Sequence, residues 1–449
     1  MDDIEKEALG CRKALVRVNG VDAGYLEMVA TDEFKFSYLE SYLRGFSNQP
    51  ISLTMDLRKE PYISEKLLPF FDNLLFEGDQ LRLAEKQFHL NRYSMVDRFK
   101  LLMLTGKTLL SPVSIHPLAE GDLIDLPHGF SEYRLNQLTI ESPYSKRCSI
   151  CMQECSGLGH QSCLRKLWGV QRKCVKLEAF AEEPINIFKT LVPGQSLSGA
   201  QKKALFSLSK QGILSRLGKP SHILKPDGEF PQMPANEHLT MTIAGKLGFP
   251  TPPNALIRIK EIGYIFVTKR FDEGKEDQKL AFEDMAQLLE EIADCKDEAT
   301  MEAVAGAIKK FSTSPKIELA DFFRRLVFCF VIGNGDMHLK NWGLRYGFTP
   351  HLIKLSPIYD WLNVRCSFPQ ELVEMILSLN QKQKDLSRSD FEKFANDCLG
   401  LSKQFITKTL QELYRWQDII EEYNSYSALT PDYQERYIKI VKDRIARLK

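Results

Sequence analysis

The most informative segment of this sequence is Ile332-Gly333-Asn334-Gly335-Asp336-Met337-His338-Leu339-Lys340-Asn341. The apolar segment 319–332 leads into it, with large apolar side chains recurring every four residues, as on one face of a helix. Two glycines then interrupt the helix and leave an Asp and an Asn five residues apart in a tight loop. A phosphotransferase needs this arrangement, with Asp336 accepting the proton of an attacking hydroxyl and the amide oxygen of Asn341 holding Mg²⁺.

A second metal ligand is expected after a short strand, turn and strand. Residues 342–346, Gly347 and residues 351–355 predict that hairpin, which leads to Asp360 in the run Ser356-Pro357-Ile358-Tyr359-Asp360. Turn chemistry is the competing explanation, since Asp and Asn after Gly are common turn residues. The apolar helix before the loop and the hairpin after it favour the phosphotransferase interpretation.

The composition limits the classes of protein to which this chain can belong. The chain has 449 residues, which suggests two to three domains, and 43% hydrophobic with 27% charged residues is ordinary for a globular protein. The acidic start lacks the pattern of a secretory signal, and no apolar run is long enough to span a membrane. Ten cysteines fit a reducing compartment better than a disulfide framework. We therefore expect a cytoplasmic protein without membrane contact.

Charge is unevenly distributed although the net charge is only +1. Residues 146–225 hold fourteen Lys or Arg and four Asp or Glu. A basic lobe that faces phosphates explains this excess. A nucleic-acid surface is the alternative explanation, and the sparse aromatic residues in this stretch disfavour it.

Strand patterns come first along the chain and helical patterns later. Residues 14–18 and 21–28 flank an Asn-Gly turn and predict a hairpin, and residues 34–36 and 51–57 are further strand candidates. Residues 121–145 have the composition of a linker. This order predicts an α+β protein of two lobes, like a protein kinase, with a small β-rich N-terminal subdomain and a mainly helical C-terminal lobe.

Helix boundaries are also predicted from capping residues. Residues 236–247 predict a helix between strands. Ser389 with Glu392 has the pattern of a capping box, and Thr430-Pro431 predicts the N-cap and first residue of the last helix.

The sequence predicts four regions. They are an N-terminal subdomain at 1–120, a linker at 121–180 that includes a zinc knuckle at 148–163, an N-lobe at 181–275 and a helical C-lobe at 276–449.

A glycine- and serine-rich loop at residues 192–203 precedes the N-lobe strands. Its small residues let backbone N–H groups turn toward a phosphate, and nearby lysines balance the charge. The loop lacks the Walker spacing, and an ordinary surface loop is the alternative.

Two further features fit a nucleotide site. Lys225 ends a predicted strand, where a kinase lysine pairs with phosphates and is held by a helix glutamate, here Glu237. Residues 266–272 end another strand and are the candidate hinge that holds adenine by backbone groups. A solvated lysine at the end of a strand is the alternative for Lys225, and the backbone contacts of a hinge leave no side-chain pattern in the sequence.

A separate cluster has the spacing of a small zinc site: Cys148-x2-Cys151-x8-His160-x2-Cys163. Cys155 is a possible replacement for one ligand. Four protein ligands would make the site structural. A redox Cys-x2-Cys pair is disfavoured because no thioredoxin-like pattern surrounds it.

Together these residues resemble the HipA family of serine/threonine kinases, the toxins of bacterial toxin–antitoxin pairs. The resemblance covers nearly the whole chain and rests on three motifs: Pro69-Phe70-Phe71-Asp72-Asn73-Leu74-Leu75-Phe76-Glu77-Gly78, Ser196-Leu197-Ser198-Gly199-Ala200-Gln201-Lys202-Lys203, and the catalytic loop with Tyr359-Asp360. The chain departs from the family at Lys202, where an acidic residue is frequent, and at Phe282, where the family has a His-Gln-Glu-Asp-like run.

The resemblance implies an ATP- and Mg²⁺-dependent serine/threonine protein kinase. Asp336 would be the base, Asn341 and Asp360 the metal ligands, and Ser196 a site of autophosphorylation that ejects the loop and shuts the kinase off, with Ser198 as a second possible site. The implied target is an aminoacyl-tRNA synthetase, whose phosphorylation stalls translation and growth. The implied partner is a HipB-like helix-turn-helix antitoxin, through which DNA would be contacted. The expected nucleotide-binding residues are Ser196, Ser198, Gly199, Ala200, Lys203, Lys225, Glu237, Arg270, Phe271, His338 and Lys340.

Two other functions fit parts of the pattern. A small-molecule kinase of the aminoglycoside-phosphotransferase type also uses Asp-x4-Asn, although the N-terminal subdomain and the Ser196 loop argue against it. A non-catalytic kinase-like protein that binds nucleic acid or a DNA-binding repressor is the other alternative.

Overall fold

A computed structural model describes residues 10–45, 49–75, 77–106, 109, 111–118, 134–169, 175–188, 202–228, 230–272, 280–347, 352–370 and 373–449. Three sheets organise these residues. A five-stranded antiparallel sheet forms the N-terminal subdomain, with strand order β4-β3-β2-β1-β5, and a seven-stranded sheet forms the N-lobe, with order β11-β12-β10-β8-β9-β7-β6. A three-stranded sheet, β13-β14-β15, belongs to the C-lobe. The strands are β1 Lys13–Val18, β2 Val21–Ala30, β3 Glu33–Tyr38, β4 Tyr62–Ser64, β5 Val113–Pro117, β6 Leu135–Thr139, β7 Lys176–Phe180, β8 Ala204–Leu208, β9 Ile213–Ser215, β10 His222–Pro226, β11 Asn254–Ile259, β12 Gly263–Lys269, β13 Ala281–Asp284, β14 Gly343–Tyr346 and β15 Lys354–Leu355.

Helices cover these sheets and form most of the C-lobe. The described α-helices are α1 Glu40–Leu43, α2 Pro69–Asp72, α3 Gly78–Phe88, α4 Met95–Thr105, α5 Gln161–Trp168, α6 Met233–Lys246, α7 Met285–Leu288, α8 Met301–Phe311, α9 Pro315–Val331, α10 Val364–Ser367, α11 Arg388–Lys393, α12 Lys403–Gln411, α13 Leu413–Tyr426 and α14 Pro431–Leu448. Among the helices that the structure describes, none combines the length and apolar character that crossing a bilayer requires.

Most local predictions agree with the structure. β1 and β2 pair as the expected hairpin, and Asn19 and Gly20 adopt left-handed backbone angles, with φ of 51° and 83°, as a two-residue hairpin turn requires. The helix predicted at 236–247 is α6, and Thr430 and Pro431 are the N-cap and first turn of α14. The hairpin before Asp360 is β14 with β15, which pair antiparallel.

Three local predictions were wrong. Residues 51–57 form turns, not a strand. The apolar side chains of Ile51 and Met55 are buried there, which explains the apolar pattern. Part of the expected linker, Leu135–Thr139, is the edge strand β6, paired antiparallel with β7. The capping box near residue 390 is formed by Ser387 and Asp390, two residues before the predicted pair.

The N-terminal subdomain docks on the C-lobe through buried polar contacts. The buried carboxylate of Glu283 accepts hydrogen bonds from the Ser52 hydroxyl at 2.5 Å and from the Leu53 N–H at 2.9 Å. The Asp72 carboxylate pairs with Arg98 inside the subdomain and accepts a bond from the Ala293 N–H of the C-lobe at 2.9 Å. These contacts join the subdomain to the face of the C-lobe that carries the candidate site.

Candidate active site

The centre of the site is a cluster of two lysines and two carboxylates, all of them buried except the Asp360 side chain, which is partly exposed. Lys225, on β10, donates to Glu237 on α6 at 2.6 Å and also to Asp360. The Lys203 ammonium lies 3.6 Å from the other oxygen of Asp360. Lys225 is only 3% exposed and Glu237 only 1%. Residues far apart in the sequence and from both lobes therefore meet in one charged cluster.

The charges in this cluster stabilise one another. Burial raises the pKa of the Asp360 carboxyl, but the charges of Lys225 and Lys203 outweigh burial, and the pKa lies below its usual value. Burial raises the pKa of Glu237 to about 7, although the charge of Lys225 opposes the shift. Burial lowers the pKa of Lys225, and the two carboxylates more than offset this and raise it overall. Asp360 and Lys225 are consequently charged at neutral pH.

Asp360 also has an unusual backbone. Its φ is 57°, in the left-handed region, which few residues other than Gly, Asn and Asp adopt readily. The neighbouring Tyr359 hydroxyl donates to the carbonyl of Lys340 at 2.8 Å. The segment that carries Asp360, the predicted metal ligand, is thereby tied to the predicted catalytic loop at residues 334–341.

The catalytic loop follows α9, as the apolar pattern predicts. Asp336 is exposed, and the Asn341 amide nitrogen donates to the Asp336 carbonyl at 2.7 Å. Because that bond uses the amide nitrogen, a metal ligand at Asn341 would be its amide oxygen. Carboxylate and amide oxygens are suitable ligands for Mg²⁺, so Asn341 and Asp360 fit that ion.

His338 lies within the same loop and is buried. Burial, with a smaller contribution from the charge of Lys296, lowers its pKa to about 3. Its Nδ1 atom has no hydrogen-bond partner among the described residues. The ring is therefore neutral at physiological pH.

Helix α6 is held by the segment that follows Asp360. The Asn236 side chain, next to Glu237, accepts from the Asn363 N–H and donates to the Asn363 carbonyl, both at 2.9 Å. It also donates to the Tyr433 hydroxyl of α14 at 2.9 Å, and Thr240 bonds the Tyr437 hydroxyl at 2.8 Å. The position of Glu237 thus depends on the C-lobe and on α14.

A cavity of about 210 Å³ opens beside the charged cluster. The predicted hinge residues Arg270 and Phe271 line it, together with Phe282 and Tyr359. The three aromatic rings contact one another, with centroids 5.4–5.7 Å apart. Phe282, which replaces a polar residue of the family pattern, thus contributes to an apolar wall.

Lys340 contacts the N-terminal subdomain. Its ammonium group lies 2.7 Å from the Glu77 carboxylate, 2.9 Å from the Asn73 side-chain oxygen and 3.6 Å from Asp284. Burial raises the pKa of Glu77, and the charges of Lys340 and Lys296 override this and lower it to about 2. This ion pair was not predicted from the sequence; the only signal was the position of Glu77 within the Pro-Phe-Phe-Asp-Asn motif.

Several predicted residues lie outside the described part of the chain. These are the phosphate-loop residues Ser196, Ser198, Gly199 and Ala200, so their roles stay predictions. Lys203, at the end of that loop, is described and joins the charged cluster.

The four predicted zinc ligands come together in a second cluster. The Sγ atoms of Cys148, Cys151 and Cys163 and one ring nitrogen of His160 all lie within 4.8 Å of one another. Cys155, the alternative ligand, is not part of this group. Residues 148–163, which carry this cluster, are the knuckle.

Comparison with known proteins places this chain in a family. A family model described as "HipA-like C-terminal domain" matches residues 195–419, and one described as "HipA N-terminal domain" matches residues 14–116. Among curated relatives, a provisionally named kinase of Haemophilus influenzae is 28% identical over 57% of this chain and 82% of its own length. Another, of Sinorhizobium fredii, is 27% identical over 88% of both chains.

Solved structures agree on the fold. The HipA chain in the complex of HipA, HipB and operator DNA from the Shewanella oneidensis toxin–antitoxin system aligns over 97% of both chains, with a TM-score of 0.67 and 17% sequence identity. At this identity the likeness concerns the fold alone. It includes the N-terminal subdomain and both lobes of a kinase-like architecture.

Proposed function

The chain belongs to the HipA family of kinase-like toxins, and on that basis we propose that it is an ATP- and Mg²⁺-dependent serine/threonine protein kinase. The observation that carries the proposal is the meeting of Lys225, Glu237 and Asp360 in one cluster beside a cavity. A kinase uses such a lysine, helix glutamate and metal-binding aspartate together.

The geometry supports a division of roles. Asp336, exposed at the catalytic loop, would accept the proton of the target hydroxyl as that oxygen attacks the γ-phosphate of ATP. Lys225 and Lys203 would offset the negative charge of the phosphates. Asn341 and Asp360 would hold Mg²⁺, which supplies further positive charge against the triphosphate. The wall formed by Phe271, Phe282 and Tyr359 would exclude water from the cavity.

We propose that the protein target belongs to the translation machinery, an aminoacyl-tRNA synthetase being the family precedent, and that its phosphorylation inhibits growth. Autophosphorylation in the loop at Ser196 or Ser198 would remove Lys203 from Asp360 and switch the kinase off. The partner would be a HipB-like helix-turn-helix antitoxin, as in the related complex, with DNA contacted through that partner. A structural Zn²⁺ at the knuckle completes the proposed cofactors.

Intact-mass and phosphopeptide analysis after incubation with Mg·ATP tests the kinase. We expect wild-type protein to gain phosphate on the Ser196–Ser198 loop and Asp336→Asn and Asp360→Asn to gain none. Phosphate transfer at the wild-type level by either variant would refute the roles proposed for Asp336 and Asp360. Transfer to an aminoglycoside or sugar, with no phosphorylated protein, would indicate a small-molecule kinase. ATP binding without any transfer would indicate a non-catalytic binding protein.

A further inference from the structure

The knuckle has the geometry of a tetrahedral metal site. Zn²⁺ with Zn–S bonds of about 2.3 Å separates its ligand atoms by about 3.5–3.8 Å. The Cys151 Sγ lies 3.4 Å from the His160 Nδ1, and the Cys163 Sγ lies 3.9 Å from the same nitrogen. These two distances match the spacing around one such ion, and all four ligand atoms lie within 4.8 Å of one another.

The orientation of His160 is set for metal binding. Its Nε2 lies 2.9 Å from the Glu154 carbonyl, a contact that requires Nε2 to carry the proton. Nδ1 then presents a lone pair to the three sulfurs, the arrangement typical of ligating histidines. The preceding Gly159 has no Cβ, and one added there would lie 2.9 Å from the Cys148 Sγ.

The knuckle contacts the helix that carries Glu237. His238, the next residue of α6, is fully buried. Its Nε2 lies 3.3 Å from the carbonyl of Ile150, between two of the cysteines, and its Nδ1 lies 3.3 Å from the Tyr144 hydroxyl. The backbone of the knuckle also accepts a hydrogen bond from β11, from the Leu256 N–H to the Ser149 carbonyl at 2.9 Å.

The knuckle also reaches the strand that carries Lys225. Helix α5 begins within the knuckle and contains the ligand Cys163. At its other end the Leu167 carbonyl accepts from the His222 Nε2 at 2.8 Å, and the Trp168 ring packs on the His222 ring at 5.2 Å between centroids. His222 is the first residue of β10, which ends in Lys225 and Pro226.

The knuckle and the residue before it also contact the C-lobe. The Gln153 amide donates to the Tyr423 hydroxyl of α13 at 2.5 Å, and the Arg147 guanidinium lies 3.5 Å from the centroid of the Tyr426 ring. The knuckle therefore contacts α6, β11 and α13 directly, and it reaches β10 through helix α5. A segment of this length has little core of its own, and a bound metal would hold it in a single shape.

We propose that Cys148, Cys151, His160 and Cys163 bind one Zn²⁺, and that this ion holds α6 and β10 in the register that joins Glu237 to Lys225. The knuckle then acts as a metal-dependent brace behind the nucleotide site. Its residues position the ion pair and do not touch the substrate. The coupling to the nucleotide site rests on the proposed kinase activity, whereas zinc binding by the knuckle can be tested without it.

Metal content of the purified full-length protein tests the site. Wild-type protein from zinc-supplemented cultures should contain about one zinc per chain by plasma mass spectrometry. Cys163→Ser should contain almost none, while Cys155→Ser, which alters a neighbouring thiol outside the cluster, should match wild type. His160→Cys should retain zinc because four thiolates also bind it. Iron instead of zinc, or no metal in wild type, would overturn the metal assignment.

Hydrogen exchange and nucleotide binding test the brace. Loss of zinc should speed amide exchange in residues 233–246 and weaken binding of a fluorescent ATP analogue about tenfold, with both restored in His160→Cys. If Cys163→Ser is insoluble, chelator-stripped wild type gives the same comparison. Zinc-free protein with unchanged exchange in α6 would overturn the coupling. If exchange rises but wild type binds no nucleotide, the brace stands and the kinase proposal fails.

Discussion

Lys340 of the catalytic loop and Glu77 of the N-terminal subdomain form a buried ion pair of 2.7 Å. Lys340 is 3% exposed, and Asn73 and Asp284 share its ammonium group. The family resemblance led us to expect Lys340 at the nucleotide. The contacts favour a different role, in which Lys340 fastens the N-terminal subdomain to the loop that carries Asp336.

Glu77→Gln should destabilise the protein by about 3 kcal/mol, because removing one partner leaves a buried charge poorly compensated. Urea unfolding at pH 7.5 measures this loss. Glu40→Gln is the control, since its pair with Arg44 is mostly exposed and such pairs contribute little. Equal effects of the two substitutions would contradict a special role for Glu77.

Lys225→Met should reduce phosphoryl transfer at saturating ATP by at least about 100-fold, since a buried cation facing developing charge is removed. The side chain keeps a similar length, so packing changes little. Steady-state transfer to a protein acceptor measures the effect. Lys260→Met, at an exposed turn of the same sheet, should transfer at the wild-type rate, and comparable rates for both variants would refute the role of Lys225.

Protein stability should fall as the pH is lowered from about 6.5 toward 4, partly through His222. Burial, with a smaller contribution from the charge of Lys269, lowers its pKa to about 4. Because its folded pKa is depressed, the unfolded chain binds the proton first, and stability present above pH 6.5 is lost on acidification. At pH 5, the titration of His222 lowers the free energy of unfolding by about 2 kcal/mol.

The comparison of wild type with His222→Gln isolates that contribution. Urea unfolding gives the free energy of unfolding at pH 7.5 and at pH 5. The decrease in this free energy between pH 7.5 and pH 5 should be about 2 kcal/mol smaller in the variant than in wild type. The glutamine amide can still donate to the Leu167 carbonyl, so the fold is retained. An identical pH dependence in both proteins would show that His222 does not titrate as described.

Gly343→Ala should destabilise the protein by about 1–3 kcal/mol. A Cβ there would lie 2.7 Å from the Glu283 carbonyl oxygen of the paired strand β13, and backbone cannot move aside easily. Gly306→Ala is the matched control, because it is exposed in α8 with nothing within 4 Å and alanine favours helix. Thermal unfolding should therefore shift in opposite directions for the two variants.

The sequence predicted what depends on local pattern. The helix before the catalytic loop, the Asn-Gly hairpin and the Thr430 cap follow from periodicity and turn chemistry, and the structure confirms them. The capping box was misplaced by two residues because Ser387 and Ser389 both begin a similar spacing. The strand β6 was missed because it lies at a sheet edge, where mostly exposed side chains hide the alternation.

The site was predictable only in part. Asp336, Asn341 and Asp360 were predicted because the kinase template specifies their spacing along the chain, and their roles stay predictions. Glu77 and the aromatic wall were missed, since their contacts join distant segments and no local pattern encodes such pairing. Lys225 and Glu237 were predicted from their positions on a strand and on a helix. The structure shows that their side chains are in contact.

The bonds from Tyr433 and Tyr437 to helix α6 have a consequence for timing during protein synthesis. Translation proceeds from the N-terminus, so both lobes can begin to fold while α14 is still inside the ribosome. Until residue 437 has emerged, Asn236 and Thr240 lack their tyrosine partners, and the helix bearing Glu237 is incompletely held. Under the proposed function, the kinase site of a chain built this way is fully assembled only after α14 has emerged and packed on α6, later than the folding of the two lobes themselves.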